Sequence, residues 1–580
     1  MGRKTKKNSN KQKRGHGQPV NIVPSGIKKL ATGAHPLLTA LVLTAILFAV
    51  QGIFFASSFQ TNDDIGMLFI ASGHGSSMEP DEHLRYSHVI LGFILKKLFT
   101  ITQEVPWYGI YHFFVHFLSM AALAYAVLDR SRSMKRIAFL LLYFGFVELF
   151  YLNNIQFTIT SCIAAQSGVF LFMSGLHKET YGRWGMLAAS FLLLLVSFLV
   201  RANGFFLMML VSLPVMALIL WEERRNRSSA AVFLGFWLVV GVTVFGLREY
   251  EKQYYNNDPA WEHFFEFSSL KSSFVDYKHI EYTKETKAVF DEVGWSRNDL
   301  DMMRSWFHAD EDLYSIENLR KITSRFPSYK TYLSFRQVVS IVLKKILTQK
   351  FFVLLAAFFM LYMQGGEKGN RGKILSALVF MLAVIAYLIV TKRLPNRVLQ
   401  PMLSFFILTV LYFNTRDIGS FSSIRRIINT VFIIILAFAL SGFLIGQLHE
   451  VKTKKMDNLG LKQTVRELGP SADQLYVVWG ASVPWENISQ FDTLDFIRDW
   501  KLIILGTTLR TPITKKRMKQ FGIDNIYRAL FEKDNVFLVV RNNRYLNYYK
   551  QFVREHYNTP ITFENTFRSP DFNVVRVTSK

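Results

Sequence analysis

GMLAASFLLLLVSFLV at positions 185–200, then Arg201-Ala202-Asn203, then GFFLMMLVSLPVMALILW at positions 204–221: two long apolar runs stand three residues apart. Neither run holds a charged residue, and neither alternates apolar with polar. Within hydrocarbon the backbone must satisfy its own hydrogen bonds, so runs of this kind read as spanning α-helices. An outer-membrane barrel would need period-two alternation, which is missing. The arginine between the runs is out of place in a short turn.

Working outward, similar runs fall at 36–56, 107–128, 137–152, 159–176, 230–247, 351–364, 374–390, 401–413 and 427–448. The fold class expected is therefore an α-helical polytopic membrane protein with about eleven transmembrane helices. Half of the 580 residues are hydrophobic, with 53 Phe among them. A net charge of +25 would suggest nucleic acid in a soluble protein. Here the excess sits in short loops and the N-terminal tail, and no nucleic-acid partner is expected. Residues 1–34 carry nine Lys and Arg and no acid, and read as a basic, disordered cytoplasmic tail. The single cysteine, Cys162, excludes an intramolecular disulfide and reads as a small apolar residue in a helix.

Alternation from a cytoplasmic N-terminus puts five basic loops inside, including Arg130, Arg132, Lys135 and Arg136 in the first and Arg224, Arg225 and Arg227 in the third. That agrees with the positive-inside rule and places the protein in the cell membrane with an extracytoplasmic C-terminus. The transmembrane domain then covers 35–448, with outer loops 57–106 and 248–350. Residues 449–580 form an extracytoplasmic tail. Two apolar stretches interrupted by Lys-Lys, at 89–99 and 338–347, are too short to span and read as amphipathic helices on the outer surface. The rival reading makes each one end of the next span.

The tail has strand-like runs at 474–479, 502–505, 536–540 and 573–577, with helical patterns at 514–520 and 545–557. A small α/β domain is expected. In loop 248–350, Gly294-Trp295-Ser296-Arg297-Asn298-Asp299 reads as a turn into a helix, with Ser296 as N-cap and Asp299 in the first turn. The acids Asp299, Asp301, Asp310, Glu311 and Asp312 read as a solvated face more readily than as a cation site. The chain has neither a Gly-rich phosphate loop nor a Cys/His metal spacing, so no nucleotide or redox cofactor is expected.

Chemistry is expected where charges break the pattern. Asn62-Asp63-Asp64 follows the first span. Carboxylates there can accept a hydroxyl proton or hold a divalent cation such as Mg or Mn, or simply cap a helix. The same loop carries Gly73-His74-Gly75-Ser76-Ser77 before Glu79, Asp81, Glu82, His83 and Arg85, which suits a segment that rearranges over a substrate. Arg201, Lys392, Arg393 and Arg397 fall in short outer turns, where basic residues are under-represented. They bind a substrate phosphate, pair with Asp63, Asp64 or Glu79, or snorkel to lipid headgroups. Together these groups suit a lipid-linked phosphate, whose departure positive charge would stabilise.

In this layout the chain resembles the GT-C superfamily of membrane glycosyltransferases. The acidic motif Asn62-Asp63-Asp64 after the first span carries the resemblance, with the outer juxtamembrane stretch 89–99, the basic Arg393 and Arg397 late in the membrane region, and a soluble C-terminal domain. The resemblance implies a GT-C-like fold and transfer of a hexosyl or pentosyl group from a polyprenyl-phosphate-linked donor to a glycan or other envelope acceptor. It implies Asp63 or Asp64 as the catalytic member of the acid pair and Arg393 and Arg397 on the donor phosphate; the charge pattern itself adds Arg201 and Glu79 as substrate-binding candidates. The Asp-Glu pair of protein mannosyltransferases is Asp63-Asp64 here, which counts against protein O-mannosylation. The stretch Gly294 to Asp299 also resembles one shared by a group of bacterial membrane proteins, implying an envelope setting. Two other functions fit the same charges: a transporter or flippase of an envelope glycolipid, and a non-catalytic envelope assembly protein.

Overall fold

The computed structural model describes residues 35–131, 134–176, 178, 180–278, 280–326, 333–364, 368–391, 394–414 and 423–579. The basic tail, Lys392 and Arg393 lie outside the described residues. In chain order the membrane region begins with α1 (Pro36–Phe54), two helices that lie beside the bundle, α2 (Asn62–Ser72) and α3 (Val89–Ile101), and then α4 (Trp107–Arg130). It continues with α5 (Arg136–Asn153), α6 (Phe157–Leu176), α7 (Thr180–Val200), α8 (Ala202–Glu223) and α9 (Arg227–Asn256). After the large loop come α10 (Phe335–Leu347), α11 (Phe352–Gln364), α12 (Lys368–Thr391), α13 (Asn396–Phe413) and α14 (Ser423–Leu468).

Among the described residues, ten helices are long and apolar enough to cross a membrane. The run at 351–364 is the exception. It forms α11, whose 13 residues reach only about 20 Å. Gly365-Gly366-Glu367 ends its apolar stretch. Helix α6 is buried along its whole length and forms the axis of the bundle. Two helices outrun their apolar cores: α9 continues to Asn256, and α14 to Leu468, where Leu461 and Val465 turn inward.

The two ends of the bundle differ. At one end, basic residues meet single acids, Lys178 with Asp129 at 2.7 Å and Lys373 with Glu222 at 2.6 Å. At the other, β1 (Ser58–Phe59) pairs in parallel with β2 (Asn154–Ile155), tying the segment after α1 to the turn between α5 and α6. Helix α3 lies at this end. Its Gly92 is pressed against the Glu82 carbonyl, where an added Cβ would sit only 1.9 Å away.

The tail builds a five-stranded sheet in the order β4 (Lys501–Leu505), β3 (Leu475–Trp479), β5 (Val536–Val540), β7 (Asn573–Ser579), β6 (Ile561–Arg568). The first three strands are parallel; β7 and β6 add antiparallel. Because side chains alternate, the sheet has two apolar faces. Leu475, Val477 and Trp479 pack with Trp295, Phe307 and Tyr314 of the large loop. Tyr476 and Val478 pack with Trp485 and Trp500 towards the bundle. Loop and tail therefore share one core. The expected capping of the helix Arg297–Arg304 is present: Ser296 Oγ accepts from the Asp299 N–H, and the Asp299 carboxylate accepts from the Ser296 N–H.

Candidate active site

Helix α2 begins at the sheet-covered end, with Asp63 and Asp64 in its first turn, where the helix dipole favours negative charge. The two carboxylates part company. Asp64 is 0% exposed. Its Oδ2 accepts from Thr61 Oγ1 at 3.0 Å, and its Oδ1 accepts from Tyr108 Oη at 3.3 Å and from the Phe157 N–H at 3.1 Å. Phe157 is the first residue of α6, so Asp64 satisfies one of that helix's free amides while Gln156 takes the next two. Burial is the main cause that pushes the Asp64 carboxyl up to about 8, against the pull of Thr61 and Phe157. At neutral pH it holds its proton.

Asp63 remains 25% exposed and faces Arg397 Nη1 at 3.5 Å. Arg201 stands close by, between α7 and α8, donating from Nη1 to the Tyr86 carbonyl at 3.0 Å. Its guanidinium lies over the Tyr86 and Phe157 rings, 5.0 and 5.3 Å from the centroids. Burial lowers its pKa, Tyr86 opposes the drop, and Arg397 adds to it. An anion placed between the two guanidinium groups would relieve that repulsion. Burial likewise raises the Tyr86 phenol, with Arg85 opposing and Asp63 reinforcing.

Behind Arg201 opens a cavity of about 410 Å³, lined among others by Arg85, Tyr86, Arg201, Arg248 and Lys252. Arg85 holds a left-handed backbone, φ 69°, and donates from Nη2 to Ser268 Oγ at 3.0 Å. Its buried Nη1 has no hydrogen-bond partner among the described residues. Arg248 also lines a second, apolar groove of about 640 Å³ between α8 and α9, walled by Phe205, Met209, Phe233, Trp237, Val240 and Phe245. A basic cavity and an apolar groove thus share one arginine.

Of the residues expected from sequence, Asp63, Arg201 and Arg397 come together, and Asp64 turns away from them to Thr61, Tyr108 and Phe157. Glu79 goes elsewhere. It is two-thirds exposed and pairs with Lys516 of the α/β domain, and among the described residues no hydrogen bond or ion pair joins it to Asp63, Arg201 or Arg397. The Gly/Ser segment before it is not a free loop. His74 to Ser77 are buried, and the carbonyls of Gly75 and Ser77 accept from Nη2 of Arg517. Tyr86, Arg248 and Lys252 were not expected, and Arg85 was expected only as part of the loop that rearranges over a substrate. A left-handed arginine in a loop and a charge at the end of an over-long helix leave no pattern in sequence.

A divalent cation does not suit Asp63 and Asp64. The Asp64 oxygens already accept three hydrogen bonds, and Asp63 faces a guanidinium rather than further oxygen ligands. Carboxylate and imidazole groups do cluster elsewhere, at Asp81, Glu82 and His83 and at Asp299, Glu555 and His556, with donor atoms within 4.8 Å of one another. Their atoms are engaged internally: Asp81 with His83, Glu82 with Lys96 and Tyr254, and Asp299 with His556.

Among the described residues, ten helices long and apolar enough to cross a membrane mark a multi-pass membrane protein, with a charged cavity where the loop before α3, the turn before α8 and the end of α9 meet. Among solved structures, the chain is similar to ArnT from Cupriavidus metallidurans. The alignment covers 92% of this chain and 97% of that one at 13% identity, with a TM-score of 0.41 for the crystal structure bound to undecaprenyl phosphate and 0.39 for the apo state. No protein-family model and no curated protein sequence matches the chain.

Proposed function

We propose that this protein is a GT-C-type glycosyltransferase that moves a sugar from a polyprenyl-phosphate-linked donor to an envelope acceptor on the outer face of the membrane. The observation that carries the reading is the junction at Arg201: an accessible carboxylate, Asp63, and Arg397 on one side, and a basic cavity continuous through Arg248 with an apolar groove on the other. An amphipathic donor has both parts. Its phosphate suits the arginines and its isoprenoid chain suits the groove between α8 and α9.

In the reaction, Asp63 takes the proton of the acceptor hydroxyl. The hydroxyl oxygen forms the new bond to the anomeric carbon. The bond from that carbon to the phosphate oxygen breaks, and the phosphate leaves with the electron pair between Arg397 and Arg201. Arrival of the donor draws Arg397 from Asp63 and frees the base. Asp64 enters the step protonated and anchors the turn that presents Asp63. No step is routed through a metal ion. The outward orientation rests on the basic loops at the far end of the bundle.

The test is transfer by the purified protein, in detergent, from polyprenyl-phosphate sugars to hydroxyl acceptors. Transfer supports the proposal. Movement of the lipid across proteoliposomes without transfer would favour a flippase, and neither activity would favour an assembly role.

A further inference from the structure

Four polar side chains sit inside the bundle and have no part in the transfer step. His112 and His116 are one turn apart on α4, Thr160 lies on α6, and Glu148 stands in a π-helical segment, Phe144–Glu148, that interrupts α5. All four are fully buried. Ionisable groups at membrane depth are costly, so their grouping calls for a role.

They form a line that starts at Asp64. Asp64 Oδ1 is 3.9 Å from His112 Nε2. His112 Nδ1 is 2.9 Å from Thr160 Oγ1, which is 3.1 Å from His116 Nε2. His116 Nδ1 is 2.7 Å from Glu148 Oε1. Among the described residues, His112 Nε2 and Glu148 Oε2 have no hydrogen-bond partner, so the line has two open ends.

A carboxylate at Glu148 orders the line. His116 Nδ1–H donates to Glu148, Thr160 O–H, which also lies 3.3 Å from the Gln156 carbonyl, turns to donate to His116 Nε2, and His112 Nδ1–H donates to Thr160. His112 Nε2 is then left with its lone pair towards Asp64. Closing that gap by about 1 Å makes a hydrogen bond.

We propose that Asp64, His112, Thr160, His116 and Glu148 form a buried proton relay in which one acidic proton is shared between the two terminal carboxyl groups. In transfer the Asp64 O–H bond breaks as an N–H bond forms at His112 Nε2. His112 passes its Nδ1 proton to Thr160, Thr160 passes its own to His116 Nε2, and His116 passes its Nδ1 proton to Glu148. One proton leaves Asp64 and one arrives at Glu148, with net charge unchanged and nothing oxidised or reduced. The relay changes the charge beside Asp63 without admitting water to the bundle. The groups facing its ends are Asp63, Tyr108, Tyr111 and His112 at Asp64, and His116, Tyr143 and Tyr151 at Glu148.

Infrared difference spectroscopy of the full-length protein in detergent tests this through the carbonyl band of protonated Asp64, assigned by its loss in Asp64→Asn. Glu148→Gln should move the titration of that band by about one pH unit or more, a tenfold change in acidity. Thr160→Val, which removes no charge, should abolish most of that effect, and Thr160→Ser should restore it. A Glu148→Gln shift of equal size with and without Thr160→Val would assign the coupling to the electric field alone and overturn the relay. An unmoved titration in Glu148→Gln would overturn it too. Should Glu148→Gln not fold, the Thr160 pair decides: loss and recovery of the wild-type titration support the relay, and an unchanged titration in Thr160→Val overturns it. No sugar transfer is read, so the relay and the proposed function can fail independently.

Discussion

The Asp64 carboxyl accepts from Thr61, Tyr108 and Phe157 in a site closed to solvent, and holds its proton up to about pH 8. Its ordinary value is 3.8. Between those values the folded chain keeps a proton that the unfolded chain has released, so raising pH favours unfolding. This contribution is complete below about pH 4 and is lost as pH rises through 8. Asp64→Asn removes the titration. Thermal unfolding of wild type and variant from pH 5 to 8 should show the wild type losing stability relative to the variant as pH rises. Parallel curves would mean that Asp64 ionises normally. The acidic pair itself was legible in sequence because it follows a span. Which member is accessible was not, since that depends on the start of α6, more than ninety residues away. The imidazole pair His112 and His116 did leave a signal: two histidines four apart in an apolar run share one helix face.

At the scale of elements, the segment from Gly73 to Glu79 carries the contact between membrane region and α/β domain. Gly73 has φ 75° and closes α2, with the Glu79 carbonyl carbon where a Cβ would stand. The Gly75 carbonyl accepts from the Leu502 N–H at 3.1 Å, extending the contact to β4. Arg517 fills the space between and is 2% exposed. Arg517→Ala leaves two buried carbonyls without that donor and should cost about 1–3 kcal/mol. Limited proteolysis should then cut near residues 73–79, where the wild type resists. The segment's Gly/Ser composition suggested a loose loop, yet small residues also permit close packing, and here packing wins. Strands β3, β4, β5 and β7 were visible as apolar runs. Strand β6 was not, because most of its side chains face solvent and no apolar run marks it.

At the scale of the molecule, the layout of spans, loops and tail was readable because charge and hydropathy alternate so strongly along the chain. The cavity and groove were not, because each is made where separate elements meet: α8 with α9, and the loop before α3 with the turn before α8. The groove can be tested without touching charge. Gly241 lines it, and an added Cβ there meets nothing within 4 Å. Gly241→Phe should fill the groove and displace about 60 Å² of lipid contact, which at ~25 cal/mol per Å² raises KM for a long-chain donor roughly tenfold. A short-chain donor should be used as before. Orientation can be tested as well, since the only native cysteine is buried. Lys519→Cys should react with a membrane-impermeant maleimide on intact cells if the α/β domain faces outward.

Whether Asp63 is the base of a sugar-transfer site is read by comparing transfer from a polyprenyl-phosphate sugar by wild type, Asp63→Asn and Asp64→Asn. Asp63→Asn should lose a factor on the order of 10²–10⁴ while donor binding persists, and Asp64→Asn, which mimics the protonated acid, should retain most of the activity. Full transfer by Asp63→Asn would contradict that role.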